Sequence, residues 1–167
     1  MSQSYELLDL DKVTIGTVGE PGRRLFLLQA KTGMEVVTLK LEKAQVAALS
    51  AHLGRMLKEL PQPTSLPDDM ELEEPAEPEW VIGSLGASYD EVVDRLLLVA
   101  EEATTEEGAA DAAEARLGMT REQVAALALR GAMLVASGRP PCPLCGYPLD
   151  PAGHTCPRTN GHRPPKL

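Results

Sequence analysis

The sequence predicts an α+β protein of two β-β-β-α repeats, their strands forming antiparallel sheet covered by helices, with a small cysteine-bearing knuckle at the C-terminus. Three observations lead there. Val13-Thr14-Ile15-Gly16-Thr17-Val18-Gly19 resembles Trp80-Val81-Ile82-Gly83-Ser84-Leu85-Gly86, at an offset of 67. Gln45-Val46-Ala47-Ala48-Leu49 is identical to Gln123-Val124-Ala125-Ala126-Leu127, at an offset of 78. Two matches in one order read as a duplicated unit, the extra residues of the second copy falling within 101–118. Behind both copies, all three cysteines lie between Cys142 and Cys156.

In the first repeat, residues 11–18 have strand character, and Glu20-Pro21-Gly22 suits a tight turn because Pro fixes φ and Gly accepts φ > 0. Residues 25–30 read as a second strand, Thr32-Gly33 turns the chain, and residues 35–41 form a third, partly alternating strand. A helix follows, with Val46, Leu49, Leu53, Met56, Leu57 and Leu60 at helical spacing on one face. In the second repeat the strands are placed at 79–85, 94–100 and 115–119, with a turn around Ser88-Tyr89-Asp90. Thr120-Arg121-Glu122-Gln123 has the pattern of a capping box, in which the hydroxyl and the amide satisfy backbone N–H groups at a helix start. Val124, Leu127, Ala128, Leu134 and Val135 line that second helix, and Gly138 and Pro140 end it.

These elements divide the chain into a first repeat (5–60), a linker (61–78), a second repeat (79–138) and a tail (139–167). The linker holds five prolines and many acids, so it is expected to be an extended or disordered, solvated spacer. Residues 104–114, rich in Ala, Glu and Gly, are expected to form a loop or frayed helix. Two β-β-β-α units can join edges into one sheet or pack as two sheets, and the sequence does not choose between them.

Charge and composition narrow the function. The net charge is −9, yet residues 139–167 carry Arg139, Arg158, Arg163 and Lys166 against Asp150, so the tail is +3 and the body −12. Such a body repels a phosphate backbone, and one Phe, one Trp and three Tyr are too few for a base-stacking platform, so nucleic acid is an unexpected partner. No run approaches the ~20 apolar residues of a membrane span, and the first residues lack the pattern of a signal peptide. A cytoplasmic location follows, where thiols stay reduced.

The tail is the most specific part. Cys142-Pro143-Leu144-Cys145-Gly146 is a zinc knuckle: the two-residue gap turns both thiolates to one ion, and the glycine permits the turn. Cys156 supplies the third sulfur. The fourth ligand is either His154, two residues before Cys156, or His162, six residues after it; His154 is favoured because Gly153 offers a turn that closes the second pair on the first. A Cys3His shell is closed, so the predicted Zn2+ is structural rather than catalytic. A redox Cys-x-x-Cys is disfavoured, since Pro-rich surroundings supply no following helix to lower the thiol pKa.

Other motifs are weaker. Gly16-x-x-Gly19-x-x-Gly22 lacks the Lys-Ser/Thr of a phosphate loop and no helix follows, so turn glycines are expected. Arg23 and Arg24 flank that turn as exposed residues, and His52 is expected on the helix surface. No spacing of carboxylates or Ser/His/Asp arrangement assigns a catalytic residue.

Val-x-Ile-Gly, Glu-Gln-Val-Ala-Ala-Leu, Gly-Arg-Pro-Pro-Cys-Pro-Leu-Cys-Gly and Gly-His-x-Cys-Pro-Arg-x-Asn-Gly together resemble an uncharacterised bacterial family, mainly actinobacterial, of conserved hypothetical "repeat proteins" with a domain of unknown function. The resemblance covers nearly the whole chain, and its Gly-His-x-Cys portion implies His154 rather than His162 as ligand. It implies no catalytic residues. The expected function is therefore a non-enzymatic binding or adaptor protein with protein partners. The alternative is an enzyme or enzyme subunit with a pocket between the repeats near Arg23, Arg24 and Tyr89.

Overall fold

The computed structural model describes residues 2–20, 22–105, 110–137, 142–146, 149, 156 and 158. In chain order the elements are β1 (Tyr5–Leu7), β2 (Lys12–Val18), β3 (Leu25–Thr32), β4 (Glu35–Leu41), α1 (Lys43–Lys58), β5 (Trp80–Asp90), β6 (Arg95–Glu102), β7 (Glu114–Met119) and α2 (Arg121–Ala136). The strands make one seven-stranded sheet in the order β1-β7-β6-β5-β4-β3-β2.

The sheet is mixed, which corrects the expectation of an antiparallel one. β4 and β5 run parallel, Leu39 beside Trp80, and so do β1 and β7, Tyr5 beside Ala115. The other four neighbouring pairs are antiparallel. The reason is the connection: α1 and the segment after it carry the chain back far enough to start β5 in the direction of β4, the crossover a parallel pair requires. Of the two arrangements the sequence leaves open, joined edges are the one adopted, through this short parallel contact.

Topology also curls the sheet. β1 and β2 occupy its opposite edges, yet only residues 8–11 separate them in the chain. Seven strands laid flat would put the edges roughly 29 Å apart. The chain from Leu7 to Lys12 spans at most about 18 Å. The sheet must therefore roll up until its edges approach. Its concave face and the two helices enclose one core, to which β6 contributes Leu96, Leu98 and Ala100, all fully buried at alternate positions.

Local physics sets the elements. Thr120 caps α2, its hydroxyl accepting from Gln123 N (3.1 Å) while Gln123 Oε1 accepts from Thr120 N (2.9 Å). Gln45 Oε1 accepts from Glu42 N (2.7 Å) in the same way at the start of α1. Gly19 and Gly22 have φ of +103° and +91° in the β2–β3 turn, while Gly16 lies inside β2, so the glycine spacing serves a hairpin. The turn expected at residues 88–90 falls later, because β5 runs on to Asp90 and the chain reverses at Asp94, whose φ of +49° is one that Asp tolerates. β1 was not expected; three residues are too short to show periodicity.

Residues 61–78 contain no helix or strand, but part of them is a strap rather than a solvated spacer. Thr14 Oγ1 donates to Met70 O (2.6 Å), Gln29 exchanges hydrogen bonds with the backbone of Glu73, and Lys12 and Lys31 pair with Asp69 and Glu73. Leu72 sits on Gly16, where a Cβ would collide with its side chain. The strap covers the outer face of β2 and β3, burying Thr14 and Gln29 with partners rather than leaving them unsatisfied.

Candidate functional site: a cysteine cluster at the C-terminus

α2 ends at Ala136, and Ser137 caps it, its N–H donating to Met133 O (2.9 Å). Gly138 and Pro140, the expected helix stop, lie outside the described residues. The described part of the tail begins at Cys142. Residues 143–145 form a turn closed by Gly146 N donating to Cys142 O (2.9 Å), and Gly146 takes φ +78°. A residue with Cβ is strained at that angle, which is why glycine follows the second cysteine of the knuckle.

The three sulfurs converge. The Sγ atoms of Cys142, Cys145 and Cys156 all lie within 4.8 Å of one another. Cys142 and Cys156 are buried and their Sγ atoms are 3.9 Å apart, while Cys145 is half-buried. A disulfide holds its sulfurs near 2.05 Å, so this is a non-bonded approach. Two thiolates bound tetrahedrally at about 2.3 Å from one ion stand about 3.8 Å apart, and the Cys142–Cys156 pair fits that separation. Leu149, which the sequence reading did not single out, is buried with Cys142 and Cys156 in a small core separate from the main one. Three thiolates are a soft donor set able to hold a metal ion. The fourth predicted ligand, His154, and its rival His162 both lie outside the described residues.

The other expected site residues are not brought together. Arg23 is exposed, and Arg24 stacks over the Phe26 ring at 5.7 Å and reaches Ser137 Oγ (3.4 Å) in a groove beside Lys40 and Lys43. Tyr89 lines a different groove, with Arg95 and Arg116, and donates to Asp94 Oδ1 (2.6 Å). That hydrogen bond, aided by Arg121, holds the Asp94 carboxyl below its usual range; the same bond raises the Tyr89 phenol above its own, against the pull of Arg121. Arg24 and Tyr89 therefore do not share one pocket. His52 is exposed on α1, as expected. Among the described residues, no helix is long and apolar enough to cross a membrane.

A rolled mixed sheet enclosing one core with two helices, followed by a three-cysteine cluster able to hold a metal, defines an α+β protein with a candidate metal knuckle. The chain belongs to the family described as protein of unknown function (DUF3090), whose model matches residues 5–156 and so takes in the whole body and all three cysteines. No curated protein and no solved structure matches it.

Proposed function

We propose that this chain is a non-enzymatic binding or adaptor protein whose C-terminal knuckle is folded by one structural zinc ion held by Cys142, Cys145, His154 and Cys156. The observation that carries the metal is the convergence of three sulfurs, two of them buried and 3.9 Å apart, around a turn closed by Gly146. Zinc suits three thiolates and an imidazole, and a shell closed by four protein ligands leaves no position for substrate. His154 is preferred to His162 because the family match contains it and stops at Cys156. The metal's work is folding: a tail this short buries too little surface to hold itself, and zinc binding supplies that free energy.

The body supports the binding reading. Its charge of −12 repels phosphate backbones, which favours a protein partner. We read its halves as copies of one unit, since β2-β3-β4-α1 and β5-β6-β7-α2 share an element order and each helix opens on a glutamine that ties its own cap. The residues matched at the strand starts, Val13 with Trp80 and Ile15 with Ile82, are all buried. A cytoplasmic location suits reduced cysteine ligands.

Metal analysis of the purified chain, followed by cobalt substitution, tests the site. One equivalent of zinc per chain is expected, with a cobalt spectrum altered by His154→Ala and untouched by His162→Ala. A stoichiometry well below one would sink the metal. Indifference to His154→Ala would remove that ligand.

A further inference from the structure

β5 is eleven residues long, but β4 lies beside it only at Trp80 and Val81 before the chain turns into α1. From Gly83 onward, among the described residues, no strand pairs with β5 on the side away from β6. That side opens into a groove of about 430 Å³ with a mainly apolar lining. Its floor is Gly83, Gly86 and Ala87, and its wall is a stripe of α1 that includes Ala48, His52 and Arg55. Those three helical positions lie on one face by spacing.

The other junction of the body shows what a filled counterpart looks like. There α2 packs closely along β2, and its side chains bond to that strand and to the segment just before it. Gln123 Nε2 donates to Leu10 O (2.7 Å), and Arg130 Nε donates to Ile15 O (3.2 Å). At the β5 junction, Gln45 Nε2 likewise donates to Ile82 O (3.1 Å) and closes one end. The residue seven places further on, corresponding to Arg130, is His52, and no hydrogen bond joins it to β5 among the described residues. One junction is sealed by side chains while the other is left as a groove.

We propose that this groove takes an extended segment of a partner protein, added as a strand to β5 beneath α1, with one carboxylate of that segment set against Arg55 and His52. An open strand edge offers main-chain donors and acceptors that another extended backbone satisfies. Small residues on the floor let that backbone come close. Among the described residues Arg55 is in no ion pair, so the charge at the far end calls for a carboxylate. The proposal rests on the reading of the chain as a binding protein and is independent of the metal.

The probe is a library of random peptides displayed on phage, in formats with free and with blocked C-termini, selected on the full chain. Gly86→Leu is the counter-screen: a Cβ at Gly86 meets open space, so the variant folds while its side chain fills the groove. Selected peptides are expected to carry an acid and to lose at least tenfold in affinity on Gly86→Leu and on Arg55→Glu, both variants melting as the parent does. A requirement for the free C-terminus would identify a terminal carboxylate, and its absence an acidic side chain. Titrations in the presence of a chelator should be unchanged, which separates this test from that of the zinc. The proposal falls if no enriched peptide distinguishes Gly86→Leu from the parent, or if binding ignores Arg55→Glu. It falls equally if Gly86→Leu changes the oligomeric state, since a second copy would then fill the groove.

Discussion

Ser50 on α1 and Gly131 on α2 meet where the two helices cross, so closely that a Cβ on Gly131 would collide with Ser50 Oγ. The Ser50 hydroxyl is buried there, and among the described residues it has no hydrogen-bond partner. Gly131→Ala should therefore destabilise the body by about 1–3 kcal/mol through overpacking. Ser50→Ala should be neutral or slightly stabilising, because it removes an unsatisfied buried hydroxyl. In the Ser50→Ala background the added methyl keeps only the residue-50 Cβ at 3.5 Å and a tighter approach to Val46 Cγ1 at 3.3 Å, so the double variant should be more stable than the sum of the single changes. Urea unfolding of the four proteins measures this, and strict additivity would contradict the crossing geometry.

Gln45 and Gln123 each tie their own helix cap with the side-chain oxygen and reach a distant strand with the amide, at Ile82 and Leu10. Gln123 is buried, so Gln123→Ala should cost about 2–3 kcal/mol by leaving polar backbone groups unpaired. Gln45 is only half-buried beside the groove, and Gln45→Ala should cost about 1 kcal/mol. Equal losses would show that burial does not separate the two sites.

The strap depends on the absence of a side chain at Gly16. Gly16→Ala pushes Leu72 off the sheet and should expose residues 68–74 to limited proteolysis, at a cost of about 1–2 kcal/mol. Leu72→Ala in the same background should recover part of that loss. A cleavage pattern identical to the parent's would sink the idea.

The Tyr89–Asp94 pair sets a pH window. Asp94 has a lowered pKa in the folded chain, so its contribution is present above the ordinary aspartate range near 4 and is lost as pH falls through the folded value. Tyr89 has a raised pKa, so its contribution is present below the ordinary tyrosine range near 10 and is lost as pH rises through the folded value. Asp94→Asn keeps a residue suited to φ +49° but removes the charge, and should flatten the acid limb of stability against pH. Tyr89→Phe should remove the matching alkaline contribution. Unchanged limbs in both variants would rule the pair out.

Chelation should unfold the tail while the α/β body keeps its thermal transition and its amide protection, because the cysteine cluster and Leu149 form a core of their own. Gly146→Ala should weaken metal binding through strain at φ +78°, without moving the body's melting temperature. A single cooperative transition lost on chelation would mean that body and tail fold together.

Much of this was legible in the residues. The hairpin β2–β3–β4, both helices and the second capping box announce themselves because turn chemistry, alternation and helical spacing are local. The knuckle is legible for the same reason: Cys142, Cys145 and Gly146 are neighbours whose geometry follows from one turn. The repeated Gln-Val-Ala-Ala-Leu was visible too, but the use of its glutamines was not, since their amides bond to strands far away in sequence.

The sequence by itself determined both helices and every strand but the three-residue β1, and where three cysteines would gather. Only the tertiary structure decided that the strands make one mixed, rolled sheet, that an acidic linker straps its outer face, and that Arg24 and Tyr89 lie in separate grooves. The physical reason is range. Backbone propensity and turn geometry act over a few residues, whereas the β4–β5 junction, the Ser50–Gly131 crossing and the open edge of β5 arise from packing between parts of the chain that no local pattern connects.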